Sequence, residues 1–227
     1  MKKVAILQSN YIPWKGYFDV IKSVDTFVLY DTVQYTKNDW RNRNKIKTAH
    51  GKQWITIPVC QHRLQQRIDE TKITNHRYQK KHWNILKTNY AKAACFKQYA
   101  ERFERIYLET LSELELLSDI NRVFVDVICD ILDIDTEIIS SNTLELYGDK
   151  ELRLISICKQ LNATSYLSGG AAKSYINPSN WAAHSVDLEW IEYGNYPEYI
   201  QLHPPFDHYV SVLDLIFNMG ERAVDYI

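Results

Sequence analysis

Residues 1–31 carry the pattern that most restricts how this chain folds. Lys3 to Gln8 is a short β-branched and aliphatic run, the composition of a buried strand. A polar turn follows, Ser9-Asn10-Tyr11-Ile12-Pro13, and Pro13 marks the expected helix start because the first helical position has no use for an N–H. Trp14, Tyr17, Phe18 and Ile21 then recur at helical spacing, and Thr26 to Tyr30 reads as a second strand. Two strands joined through a helix are expected to be parallel neighbours in an open sheet, with a right-handed crossover.

The rest of the chain extends that plan. Residues 34–53 are polar and basic without period, the pattern of a long loop, and long loops in compact domains are often functional. Trp54 to Val59 reads as a strand that ends near Pro58. Residues 76–134 look helical nearly throughout. Ser140–Leu144 has the pattern of a strand entering a loop, Asp149–Leu161 of a helix, Thr164–Leu167 and Val186–Tyr193 of strands, and Ser211–Met219 of a helix closing at Gly220. The expected architecture is α/β: one domain over 1–227 with an open parallel-sheet, Rossmann-like core and a mostly helical insertion at about 76–134.

Composition narrows the function classes. At 45% hydrophobic and 24% charged, the 227 residues exclude disordered, collagen-like and coiled-coil chains. No apolar run approaches the roughly 18 residues of a membrane span, and the stretch Val4–Leu7 is too short for a secretory core, so a cytoplasmic, membrane-free protein is expected. Cys60, Cys95, Cys129 and Cys158 are widely spaced and read as free thiols, and no histidine set has metal-ligand spacing. The net charge of −1 conceals a division: residues 1–105 carry 21 lysines and arginines against 8 acids, and residues 106–227 carry 6 against 20. The basic half suits a phosphate-bearing ligand or a polyanion, or it attracts the acidic half.

Three segments fall at strand ends, where open parallel sheets bind ligands. Gln8, Ser9, Asn10 and Tyr11 precede the amides of a helix start that also bears Trp14 and Lys15, suited to a phosphate or carboxylate or simply a capped turn over packed aromatics. Asp31 to Lys47 combines Asp31 and Asp39 with Gln34, Tyr35, Lys37, Trp40, Arg41, Asn42, Arg43 and Lys45. Arg41 and Arg43 can fork onto phosphate oxygens, Tyr35 or Trp40 offers a stacking face, and asparagines recognise hydroxyls. A merely solvated basic loop would not need Trp40. Ser168, Gly169 and Gly170 end another strand in a small-residue turn where a ligand could approach the backbone, although a tight turn explains them as well. His76 and His203 are candidate proton acceptors, the latter with Asp207 as orienter. The basic, aromatic stretch Arg77–Arg105 faces RNA or is an amphipathic helix with a solvated lysine face.

Gln8 through Phe18, Asp31 through Lys47, Trp54 through Val59, Tyr166-Leu167-Ser168-Gly169 and Ser211 through Leu215 together resemble the WbqC-like family, linked to lipopolysaccharide O-antigen and other surface-polysaccharide gene sets. More distantly, Trp14-Lys15-Gly16-Tyr17 occupies the place of the H-x-G-H motif in the nucleotidylyltransferase superfamily, with both histidines replaced. The resemblance implies an enzyme of surface-polysaccharide biosynthesis, expected to transfer an N-acyl or aminoacyl group onto a dTDP- or UDP-linked amino sugar. Asp31, Asp39, His76 or His203 would take the proton. The donor stays open among a coenzyme A thioester, an acyl carrier protein and an aminoacyl-tRNA, as do ATP use and homo-oligomer formation. A nucleotidyltransferase-like enzyme with altered catalytic residues, or a non-catalytic sugar-nucleotide or RNA binding protein, are the alternatives.

Overall fold

The computed structural model describes residues 1–227. In chain order the elements are β1 (Lys3–Leu7), α1 (Lys15–Lys22), β2 (Thr26–Leu29), β3 (Arg43–Thr48), β4 (Gly51–Thr56), α2 (Arg77–Tyr90), α3 (Phe96–Leu108), α4 (Leu117–Ile131), β5 (Glu137–Ser140), α5 (Lys150–Gln160), β6 (Ser165–Ser168), α6 (Pro178–Ala183), β7 (Asp187–Trp190) and α7 (Val212–Met219). Five strands form one parallel sheet in the order β5-β2-β1-β6-β7, and β3 pairs with β4 in a separate antiparallel hairpin. In register, Val4 of β1 lies between Thr26 of β2 and Tyr166 of β6. This is the open, Rossmann-like α/β arrangement: the chain lays strands outward on one side of β1, then returns and lays β6 and β7 on the other.

Alternation along the strands divides the core between the sheet's two faces. Ala5, Phe27 and Leu29 join a 42-residue apolar cluster with α1, α7 and the segment between β2 and β5. Val4, Ile6 and Val28 join a 13-residue cluster with α5 and α6 on the other face. The stripe Trp83, Leu86 and Tyr90 of α2 is buried in the larger cluster. Cys129 and Cys158 are buried free thiols, pushed up to about 12 by desolvation.

Several element boundaries differ from expectation. The expected loop over 34–53 contains the β3–β4 hairpin, and β4 begins at Gly51 rather than Trp54. The inward positions of β3, Asn44, Ile46 and Thr48, include one apolar side chain, so no hydrophobic alternation reveals the strand. Gly51 closes the turn at φ +98, in the left-handed region open to glycine. Pro13 is not the first helical residue. Trp14 occupies the N-cap and α1 starts at Lys15. The strand expected at Ser140–Leu144 lies earlier, at Glu137–Ser140, where β2 offers its free edge. No helix is long and apolar enough to cross a membrane.

A candidate binding cleft at the sheet's switch point

The strand order reverses between β1 and β6, so their carboxyl ends diverge into a crevice. The turn after β1 is built with care. Ser9 is fully buried, its N–H donates to the Asp31 carboxylate at 2.8 Å, and its hydroxyl accepts from Asn121 Nδ2 at 2.9 Å. The same Asn121 amide reaches Arg41 O at 2.9 Å, tying α4 to both segments. Arg41 donates to Ser9 O at 3.4 Å and sits 3.6 Å from Asp39. Ile12 holds φ at +38, an unfavourable region for a β-branched side chain. Asn44 Nδ2 fastens that strained turn by donating to Tyr11 O at 3.1 Å and Ile12 O at 2.9 Å.

The cleft beside this turn encloses about 560 Å³ counting its open mouth, and is lined by Asn10, Pro13, Trp14, Trp40, Asn44 and Tyr209. Three aromatic walls with two amides suit the apolar faces and hydroxyls of a sugar or a base. Asn10 Oδ1 is sealed from solvent without a partner, an acceptor left over for a ligand. Trp40 packs against Trp54 at 5.2 Å between centroids with the rings tilted by 36°, the Arg43 guanidinium lies 4.2 Å over Trp54, and Lys45 Nζ lies 4.8 Å from the same ring. Neither cation has a carboxylate partner, so both are available to phosphates at the cleft's rim. Beyond Trp14 and Tyr209 a second hollow of about 690 Å³ opens against Tyr193, Asn195, Tyr196 and His208. Tyr193 lies 5.3 Å from Trp14, and its hydroxyl is next to Gly169, which joins the β6 turn to the β1 turn.

The structure distributes the expected site residues unevenly. Asn10, Trp14 and Trp40 line the cleft, with Arg43 and Lys45 beside it. Ser9, Asp31, Arg41 and Asp39 lie in its supporting layer, and Asp39 also accepts from Trp40 N at 2.7 Å. Gln8 contributes its carbonyl, which accepts from the Tyr17 hydroxyl at 3.1 Å. Tyr11 is a core residue, with its hydroxyl 2.8 Å from His82 Nδ1 and 2.7 Å from Tyr107. Tyr35 is also buried, so the stacking face belongs to Trp40. Asn42 is structural, donating to Ile57 O at 2.8 Å. Gln34 and Lys37 are exposed outside the cleft, and Gln34 bridges to Arg67. Ser168 is buried at the end of β6, while Gly169 and Gly170 open the following turn.

Lys15 turns away from the expected anion position. Its buried Nζ reaches Pro197 O at 3.3 Å and lies 4.8 Å over the Tyr196 ring, and desolvation lowers its pKa to about 8. Desolvation likewise raises Asp31 to about 6, partly offset by the Ser9 hydrogen bonds and Arg41. Neither expected histidine lines the cleft. His76 is exposed at the start of α2, 3.1 Å from Gln79, and His203 bonds Asn89 O at 3.0 Å. Sequence reasoning missed His208, whose Nδ1 is buried without a partner and whose pKa is lowered by desolvation and by Lys15. Its neighbours in the chain are loop residues, and only tertiary packing brings it to Trp14.

A family model for the WbqC-like protein family matches residues 8–226. The chain belongs to the WbqC-like protein family. It is also 47% identical to the uncharacterized protein Rv1507c of Mycobacterium tuberculosis, over 100% of this chain and 98% of that one. No solved structure matches significantly. For this WbqC-like chain the match spans the whole cleft, including Asn10, Trp14, Trp40 and Asn44 from its early segments and Tyr209 from its late one.

Proposed function

We propose that the chain is a transferase of surface-polysaccharide assembly that acylates, or aminoacylates, the amine of a nucleotide-linked amino sugar. The observation that carries this reading is the aromatic and amide cleft at the switch point, flanked by the uncompensated cations Arg43 and Lys45. A dTDP- or UDP-linked sugar would stack between Trp14 and Trp40, hydrogen-bond Asn10, and place its diphosphate at Arg43 and Lys45. The sugar's amine would then face the second hollow, where the His208 Nδ1 has no partner and burial lowers the imidazole's pKa.

In the reaction, the amine nitrogen attacks the donor's carbonyl carbon. The bond from that carbon to the donor's sulfur or ester oxygen breaks. The proton lost by nitrogen passes through His208 to the leaving thiolate or alkoxide. Proximity is the main contribution, because a neutral amine and a thioester or ester already react once aligned.

Thermal shift tests the binding half. A nucleotide-linked amino sugar should raise the midpoint beyond the free nucleoside diphosphate, and Trp40→Ala should abolish the difference. Mass spectrometry of the sugar, incubated with acetyl coenzyme A, acylated carrier protein or aminoacyl-tRNA, tests the chemistry. No mass gain with any donor refutes the transferase.

A further inference from the structure

We infer that the face formed by α2 and the hairpin is a docking groove for RNA, which brings an RNA 3′ end to the cleft. This rests on the transferase reading above, and assigns its donor class: an amino acid esterified to the terminal ribose of a tRNA. From Thr71 to Ala100 the chain has seven lysines and arginines and no acid. Within α2, Arg77, Lys80 and Lys81 line one side of a groove whose other side is β4, and Lys87 is exposed nearby. Two hollows of about 920 and about 810 Å³ share Gln53, Arg77, Lys81 and Ile85, so they are one continuous groove. No acid lines it, and the neighbouring Lys72 and Lys52 are already paired with Glu115 and Asp207 at 2.7 and 2.5 Å.

Two further observations select RNA over an acidic protein. At the end of the groove Trp54 is 40% exposed with Arg43 and Lys45 against its ring, so an unpaired base meets an aromatic edge flanked by two cations. Away from Trp54, on the upper reach of α2, Ile85 is the one apolar lining residue, too little for a protein partner to bury. Arg77 to Thr88 rises about 16 Å along the helix, room for several phosphates. Trp54 also leads to the cleft, since it packs against Trp40, which is one of the cleft's walls.

The test is anisotropy of fluorescent, uncharged tRNA on the full chain, from about 50 to about 300 mM salt. Four or five phosphate contacts predict a log–log slope of about −3 to −4. Arg77→Gln/Lys80→Gln/Lys81→Gln should weaken binding at least about tenfold and make the slope shallower by about 2. Trp54→Ala should weaken binding about tenfold at unchanged slope. Lys150→Gln/Lys159→Gln, on α5 across the sheet, should bind as wild type. The charged side chains among these are exposed, Trp54 is partly so, and unchanged melting midpoints will confirm folding. Wild-type affinity in the triple variant overturns the groove. So does polyglutamate or an acyl carrier protein competing as well as RNA, with Trp54→Ala silent. The amino-sugar thermal shift is an independent readout that the triple variant should retain. RNA binding without that shift removes the transferase and leaves the groove, and the converse removes only the groove.

Discussion

Gly16 provides a sharp test of how the cleft wall is built. The Trp14 ring lies across it, and a Cβ on residue 16 would fall 2.3 Å from Cζ2, 2.6 Å from Cη2 and 2.7 Å from Cε2. The ring has little room to yield, because Tyr193, Tyr209 and Tyr196 surround it at 5.3, 5.7 and 6.0 Å. Gly16→Ala therefore sets two effects against each other. Alanine in a helix is favoured over glycine by about 0.5–1 kcal/mol, whereas overpacking of this kind costs about 1–3 kcal/mol. Such distances place the clash at the upper end, so a net loss of about 2 kcal/mol is expected, or about 4–8 °C in the melting midpoint for a chain of this size. In a Trp14→Ala background the clash is gone, and the same substitution should stabilise by about 0.5–1 kcal/mol. The double-mutant cycle, read by urea denaturation, should thus show a coupling of about 3 kcal/mol with a change of sign. An equal loss in both backgrounds would refute the account of Gly16 as the seat of Trp14.

Two further outcomes follow from single sites. Asp31 is raised from 3.8 to about 6, so the folded chain retains a proton that the unfolded chain has released, and stability falls as pH rises from about 4 through about 6. Asp31→Asn keeps an acceptor for Ser9 N, and its stability should exceed wild type above about pH 6.5, by at most about 3 kcal/mol, converging toward pH 4. Parallel melting curves across that range would contradict this. The two histidines should separate: His203→Ala loses its bond to Asn89 O, costing about 1 kcal/mol, with the amino-sugar shift intact. His208→Gln should keep the shift and lose transfer, and a loss of binding instead would move His208 out of the proton path.

The parallel core was legible because β1, α1 and β2 each follow one simple period, so Val4, Phe18 and Phe27 declare their faces locally. Trp14 and Trp40 were legible for a related reason, as aromatics set in polar turns at strand ends. The hairpin was not, since its buried face includes Asn44 and Thr48, polar side chains whose burial rests on hydrogen bonds to Ile12 O and to Gly51 O in the turn. Tyr11 and Tyr35 misled in the opposite way. Each sits in a polar segment but turns inward, Tyr11 to a buried hydroxyl and imidazole supplied by α3 and α2. Lys15 and His208 owe their altered basicity to a loop contributed by distant sequence, which no local pattern reports.

The stretch around Ser211 fastens the β1 turn to the hairpin. Val212 N donates to Pro13 O at 2.9 Å, Ser211 N donates to Lys45 O at 2.8 Å, and Trp14 forms an isolated bridge with Ser211. Synthesis delivers Trp14 and Trp40 early and Tyr209 with Ser211 very late. A nascent chain can therefore assemble β1, α1 and β2 long before it owns a closed pocket. The cleft is fully lined and fastened only in a molecule whose translation has passed Val212, so half-made copies hold two of its three aromatic walls without the third.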